Sequence, residues 1–159
     1  MYQETPAQKK RPRPASVKTA AAGPEIAYTV SMPNPSRHLL EVEMRVKWTQ
    51  FPDKTELKMP VWTPGSYLVR EFARHVQGIE VRDAAGIALA WDKINKNTWQ
   101  VDTKGVTEIA VKYRVYANEL TVRTNELNDE HAFWNNAALL FFIKDQLKAP
   151  SSVKVYPFG

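Results

Sequence analysis

Apolar and polar side chains alternate with a period of two over much of the chain. Across residues 40–48 every second position is apolar, and glutamate, arginine or lysine occupies the positions between them. Residues 57–61 and 109–116 show a similar alternation. A period of two places the apolar side chains on one face of an extended strand, so these segments are predicted to be half-buried β-strands.

Shorter strand candidates fill most of the remaining sequence. Turn-forming residues separate them, including Asn34-Pro35-Ser36, Phe51-Pro52-Asp53 and Lys104-Gly105. The candidates are residues 26–31, 78–82, 87–91, 98–102, 121–124 and 152–156. Strands spaced by about 8–12 residues, without a long amphipathic helix, predict an all-β fold: an antiparallel β-sandwich with at most one or two short helices.

Residues 137–143, Ala-Ala-Leu-Leu-Phe-Phe-Ile, form the longest apolar run of the chain. A strand buried on both faces and a short core helix would produce the same run, and periodicity does not separate them. We favour the strand because Phe-Phe-Ile is typical of strands.

Residues 59–76, MPVWTPGSYLVREFARHV, combine aromatic, basic and turn-forming residues. Pro64 and Gly65 suit positions i+1 and i+2 of a type II turn, where glycine tolerates a positive φ. Ser66 would then cap one or two helical turns, unless the chain crosses irregularly instead. The buried face of such a helix would carry Leu68, Phe72 and Val76.

The net charge of +5 is concentrated in the first 24 residues. The other 135 residues hold 17 basic and 16 acidic side chains. Residues 1–24 have too little apolar surface to fold, so we predict a disordered basic tail before a domain at residues 25–159. A nucleic-acid-binding domain concentrates positive charge on its folded face. A solubilising or linker extension is therefore favoured over a nucleic-acid or membrane arm.

The chain lacks the apolar segments that membranes require. No apolar run approaches the ~18 residues of a membrane span, and no apolar segment follows the basic N terminus as it would in a signal peptide. We expect no membrane partner and favour a cytoplasmic location. A periplasmic or secreted location stays open if a signal peptide has been removed.

The sequence contains no complete catalytic set. The three histidines, His38, His75 and His131, are isolated from one another, whereas a zinc hydrolase places two of them at i and i+4 of one helix. There is no cysteine, no G-x-S-x-G elbow and no glycine-rich phosphate loop. The nearest approach to a metal cluster is Asn125-Glu-Leu-Asn-Asp-Glu-His131, whose composition favours a solvated hairpin loop.

Large aromatic rings are the remaining candidates for a functional surface. Trp91 and Trp99 lie in strand patterns and are predicted to belong to the core. Trp62 and Tyr67 flank the predicted turn, and Trp134 precedes two asparagines. Rings in loops are better placed to contact a ligand or a neighbouring domain.

The run Met59-Pro-Val-Trp-Thr-Pro-Gly-Ser-Tyr-Leu-Val-Arg-Glu-Phe-Ala-Arg-His75 resembles a characteristic stretch of the glycyl aminopeptidase family of zinc metallopeptidases. That stretch reads M-P-x-W-T-P-G-S-Y-x-x-R-x-[FY]-A-[RK]. Further segments resemble the family pattern in the same order, and the resemblance covers about residues 26–159. They include Tyr28 to Pro35, Lys96-Asn-Thr-Trp99, Val122-Arg-Thr-Asn125 and Phe133-Trp-Asn-Asn-Ala-Ala-Leu139.

The resemblance implies a non-catalytic N-terminal domain that docks a thermolysin-like zinc domain and helps to wall its substrate cleft. The zinc domain and a PDZ domain are expected downstream of this chain. Zinc is expected only in the catalytic domain, and neither a catalytic nor a metal-ligating residue is assigned here. The partner is then the catalytic domain of the same polypeptide, with peptide substrate an indirect partner. Two alternatives are a stand-alone sandwich that binds carbohydrate or peptide through loop aromatics, and an adaptor whose tail recruits an acidic partner.

The resemblance and the loop aromatics together give the candidate binding or docking residues. The segment from Trp62 to Arg74 is interpreted as a structural corner, with Trp62 buried against the sandwich. A single edge is expected to present the aromatic candidates together. Arg70 has five fixed donors that suit carboxylates or carbonyls. A structural pair with Glu71 or a neighbouring strand is favoured over a grip on a substrate terminus. The candidates are Trp62, Tyr67, Arg70, Phe72, Phe133, Trp134 and Asn135.

The scattered histidines generate a first prediction. The isolated chain should neither retain zinc after dialysis nor hydrolyse aminoacyl substrates, because no thiolate is available to complete a tetrahedral site. Metal analysis and an amidase assay check this. Stoichiometric zinc, or an amidase activity that is lost on chelation, would contradict it.

Overall fold

The computed structural model describes residues 22–66 and 68–159 and contains eleven β-strands. Three short 3-10 helices, at Pro35–Arg37, Phe72–His75 and Asn136–Ala138, are the helices of the described part. The strands are β1 Glu25–Ser31, β2 Leu39–Lys47, β3 Lys54–Lys58, β4 Val76–Asp83, β5 Trp91–Asn95, β6 Thr98–Asp102, β7 Glu108–Tyr116, β8 Glu126–Leu127, β9 Ala132–Phe133, β10 Phe142–Ile143 and β11 Ser151–Tyr156.

Two sheets face each other across one core, and a two-stranded hairpin lies beside them. The first sheet has the order β11-β1-β2-β7-β4, the second the order β10-β3-β6-β5, and β8 pairs with β9. All these pairs are antiparallel except β1 with β11. The predicted all-β sandwich is therefore confirmed.

Alternation along the central strands builds the core. In β2 and β7 every second side chain is buried, and the residues between them face outward. Their register places Met44 opposite Val111 and Val42 opposite Tyr113. Each inward side chain of one strand therefore packs beside an inward side chain of the other, which is the arrangement that stabilises a half-buried sheet.

Several predicted elements differ from the structure. Strand β3 ends at Lys58 although the alternation continues to Val61, and β5 begins at Trp91 instead of at residue 87. Residues 121–124 form turns instead of a strand. Trp91, predicted in the core, is 37% exposed because β5 is an edge strand, whereas Trp99 is buried as predicted.

The apolar run at residues 137–143 is neither the favoured strand nor a single helix. It continues the 3-10 helix Asn136–Ala138, crosses the core without regular structure and ends in β10. Two tyrosines of the first sheet bond the backbone of this crossing. Tyr113 Oη donates to Leu139 O at 2.9 Å and accepts from Phe141 N at 3.2 Å. Tyr28 Oη donates to Phe141 O at 2.6 Å.

The ring of Phe141 lies between the two sheets. It stacks on Tyr113 with centroids 4.2 Å apart, and it packs against Trp99 of the second sheet at 4.7 Å. Burial raises the pKa of the Tyr28 hydroxyl to about 12 and also raises the pKa of Tyr113. Both hydroxyls therefore stay protonated and able to donate at neutral pH.

Some predictions fall outside the part of the chain that the structure describes. They concern residues 1–21 of the predicted basic tail, and Tyr67. In the described ranges no helix is long and apolar enough to span a bilayer.

The bonds of Tyr113 generate a second prediction. Tyr113→Phe keeps the ring but leaves a buried carbonyl and a buried N–H unpaired, so it should lower the free energy of unfolding by about 1–3 kcal/mol. Urea denaturation measures the loss. Tyr156→Phe is the matched control, because that side chain is exposed, and it should change stability by less than about 0.5 kcal/mol. Equal midpoints for the two variants would contradict the role of the Tyr113 hydroxyl.

Candidate functional site

Three segments of the chain meet at one end of the sandwich, which we call the loop end. They are residues 60–75, 117–125 and 133–138. The 3-10 helix Phe72–His75 contacts the 3-10 helix Asn136–Ala138. A small cavity of about 130 Å³ between them is lined by all three segments, including Phe72, Asn125 and Ala138. The segment that contains the Pro64-Gly65 turn and the segment before Ala137 therefore lie side by side.

The tight turn in the first segment forms as predicted. Ser66 N donates to Thr63 O at 3.0 Å, and Gly65 has a φ of +86°, which defines a type II turn with Pro64 and Gly65 in the middle. Ser66 does not cap a helix. The only helix of this segment in the described residues begins at Phe72 and has no side-chain cap. The irregular crossing is therefore the alternative that the chain adopts.

The turn between β5 and β6 supports this segment at both ends. Met59 N donates to Asn97 O at 2.9 Å, and Asn97 Nδ2 donates to Met59 O at 2.8 Å, where the segment begins. Lys96 Nζ donates to the Glu71 carboxylate at 2.5 Å where it ends. This bond lowers the pKa of Glu71 and raises that of Lys96. The sequence alone indicates no role for Lys96 or Asn97, since their partners are distant in the chain.

Asn125 joins the other two segments. Its side chain is buried; Nδ2 donates to Ala138 O at 2.9 Å and Oδ1 accepts from Asn135 N at 3.1 Å. Asn135 in turn caps the short helix, since its Oδ1 accepts from Ala137 N at 2.9 Å. The candidate Asn135 therefore has a structural role, and a buried amide with these two bonds fixes the spacing of the segments.

The structure separates the candidate aromatic residues by exposure. The expectation that Trp62 is buried is wrong: its side chain is 57% exposed. Phe72, expected among the contact residues, is instead buried at 4% exposure and anchors its segment in the core. Phe133 is 40% exposed. Trp134 is half-buried against the core, and its Nε1 donates to Asn136 Oδ1 at 3.2 Å.

Four exposed apolar residues of the loop end were not among the sequence candidates. Leu68 and Val69 follow the type II turn, and Leu120 and Val122 lie in the second segment. All four are more exposed than Trp62. Their exposure depends on the path of irregular loops, and alternation across 121–124 falsely indicated a strand.

The titratable groups of the loop end do not form a reaction centre. His75 lines the small cavity, and burial together with the neighbouring Arg74 lowers its pKa, so it is neutral at neutral pH. Outside the loop end, His131 Nε2 lies 3.6 Å from Glu126 Oε1, which is beyond hydrogen-bond range. Within residues 22–66 and 68–159, no group of three or more metal-ligating side chains is placed to hold a metal ion. The described residues therefore do not fit the zinc site of a metallopeptidase.

Comparisons with known proteins place this domain in a family. Residues 27–158 match the Peptidase M61 N-terminal domain. This match confirms the coarser part of the resemblance, an N-terminal domain of a peptidase family. A comparison with curated proteins gives no match.

Two solved structures match this domain to different degrees. The crystal structure of an aminopeptidase N family protein from Idiomarina loihiensis matches with a TM-score of 0.77 and 32% identity. The match covers 83% of this chain but 22% of that chain, so this chain spans about a fifth of the length of that relative. The M1 zinc metallopeptidase from Deinococcus radiodurans matches with a TM-score of 0.45 and 12% identity over 86% of this chain and 32% of its own. That similarity is too low to carry a functional argument.

Proposed function

The chain belongs to the Peptidase M61 N-terminal domain family, and we propose that its loop end docks the zinc peptidase domain of the same polypeptide. In this role it also helps to wall the substrate cleft of that domain. The observation that carries the proposal is the set of exposed apolar side chains in the three loop-end segments. They are Trp62, Leu68, Val69, Leu120, Val122 and Phe133.

A surface of this kind is consistent with a domain interface. Single exposed apolar residues are ordinary in soluble proteins, whereas apolar side chains that gather in one region mark surfaces that another molecule covers. The outer face of the first sheet offers a contrast, because Glu41, Glu43, Lys112 and Arg114 line its broad depression. Docking through the loop end would remove apolar surface from water, whereas docking through the sheet face would desolvate charges.

The chemistry of the proposed enzyme lies outside this chain. The described residues offer no metal site, so zinc, its ligands and the general base would come from the catalytic domain, for which the resemblance implies a thermolysin-like fold. The PDZ domain that the resemblance implies would likewise lie outside this chain. This domain would then position the catalytic domain and cover part of its substrate cleft. Peptide substrate would contact this domain only in that cleft.

The role of Trp62 generates a third prediction. Trp62→Ala should leave the stability of the isolated chain nearly unchanged, because more than half of the side chain already contacts water. It should weaken docking about tenfold or more, as expected for an aromatic interface residue. Docking is measured on the full-length polypeptide, folded intact, cut at a protease site inserted after Gly159 and then diluted; the two parts co-elute while they stay docked.

Two tryptophans serve as matched controls for this measurement. Trp91→Ala removes an exposed ring on β5, outside the loop end, and should leave docking unchanged. Trp99→Ala removes a buried ring and should cost about 3–5 kcal/mol of folding stability. If Trp62→Ala unfolds the chain as Trp99→Ala does, or if it leaves docking intact, the loop end is not the docking surface.

A further inference from the structure

The backbone of Arg70 bonds the start of the segment that contains the Pro64-Gly65 turn, whereas its side chain has an unpaired donor. Its backbone N donates to Val61 O at 2.5 Å, which joins the two ends of the segment from residue 61 to residue 70. Its side chain is partly buried, and Nε is shielded from solvent without any hydrogen-bond partner. Buried donors in native proteins are nearly always paired, so this one requires an explanation.

The neighbouring acidic groups do not supply the missing partner. Glu71, the pairing candidate from the sequence, is bonded to Lys96 instead. No ion pair of Arg70 with any described residue occurs, on a neighbouring strand or elsewhere. The expected structural pair of Arg70 is therefore wrong for the described part of the chain. Within the described residues, Arg70 Nε therefore has no hydrogen-bond partner.

Because Nε is shielded from solvent, a partner outside the domain would bind Arg70 through its Nη groups. A guanidinium presents its donors in a planar fork that matches the two oxygens of a carboxylate. Trp62, Leu68 and Val69, on the same segment, are each more than half exposed. Covering these side chains requires a surface larger than one end of a short peptide. The same covering surface would exclude water from an ion pair between Arg70 and a carboxylate, and would strengthen that pair.

We propose that Arg70 binds an aspartate or glutamate side chain supplied by the docked peptidase domain. The inference rests on the proposed function and specifies the partner chemistry at the same surface. It also has a consequence for the chain alone. An unpaired buried donor destabilises the isolated domain, so removing it should raise the stability of the chain alone.

Thermal unfolding of the isolated chain tests this consequence. Arg70→Met preserves the apolar stem and removes the unpaired donor, so it should raise the unfolding midpoint by roughly 2–4 °C. Arg74→Met is the matched control: Arg74 is exposed and its Nε donates to His75, and its midpoint should stay unchanged. A fall in the midpoint of Arg70→Met would show that Arg70 has a partner within the domain and would overturn the proposal.

Docking of the cut polypeptide tests whether the peptidase domain supplies the carboxylate that binds Arg70. Arg70→Met should weaken docking roughly 30-fold or more, because it leaves a desolvated carboxylate unpaired. Arg70→Lys should recover part of the loss, since lysine keeps the charge but not the planar fork. Arg82→Met, an exposed change on β4 outside the loop end, should dock like the wild type. Unchanged docking of Arg70→Met would overturn the inference while leaving the proposed function intact; failure of the wild-type chain to dock would overturn the proposed function itself.

An experiment with short peptides distinguishes a carboxylate of the substrate from a carboxylate of the peptidase domain. An N-acetylated tripeptide with a free C-terminal carboxylate is compared with its C-terminal amide, with the unfolding midpoint as the readout. The proposal predicts that neither peptide shifts the midpoint of the wild-type chain at millimolar concentration. A rise with the free acid alone, lost in Arg70→Met, would assign Arg70 to the substrate terminus and overturn the proposal.

Discussion

Two tyrosine hydroxyls of the first sheet hold the backbone of residues 139–141, and the arrangement of the loop end depends on this contact. Tyr28 and Tyr113 both bond carbonyls of the crossing segment, and Phe141 packs between the two sheets. The crossing segment therefore stays in the core without forming a ladder of its own. Because residues 133–138 lead directly into it, their position at the end of the sandwich is fixed as well.

Hydrogen bonds hold a neighbouring part of the loop end against residues 133–138. Asn125 bonds both Ala138 and Asn135, so the second segment is held against the third. Phe72 is buried in the core beside them, and Asn97 bonds the backbone at the start of the first segment. The backbone of the loop end is thus anchored, while the apolar side chains between the anchors face water.

The sequence was sufficient to predict the features that depend on nearby residues. Alternation predicted β2 and β7 because one face of each strand meets the core and the other meets water. Pro64 and Gly65 predicted the type II turn because four residues determine that conformation. Alternation failed at Val122, where the chain forms turns, and it could not resolve residues 137–143, whose backbone bonds go to tyrosine side chains.

The sequence pointed to aromatic side chains in loops, but not to which of them are buried and which are exposed. The sequence candidates lie in two of the three loop-end segments. Phe72 is buried, and Trp62 is exposed although the corner interpretation required it to be buried. Which ring faces inward depends on the path of the segment, and Asn97 bonds the backbone of Met59, 38 residues away, where that path begins. Pairing over such separations leaves no periodic signal in a single sequence.

Hydrogen–deuterium exchange tests most directly whether the loop end is the covered surface. The isolated chain is compared with the same residues inside the full-length polypeptide, and amide exchange is followed peptide by peptide. Docking through the loop end predicts slower exchange across residues 61–70 and 119–124 in the full-length polypeptide, with no change in the β4–β5 turn at residues 84–87. Unchanged exchange at the loop end, with new protection at the free edge of β11 or on the outer face of the first sheet, would contradict it.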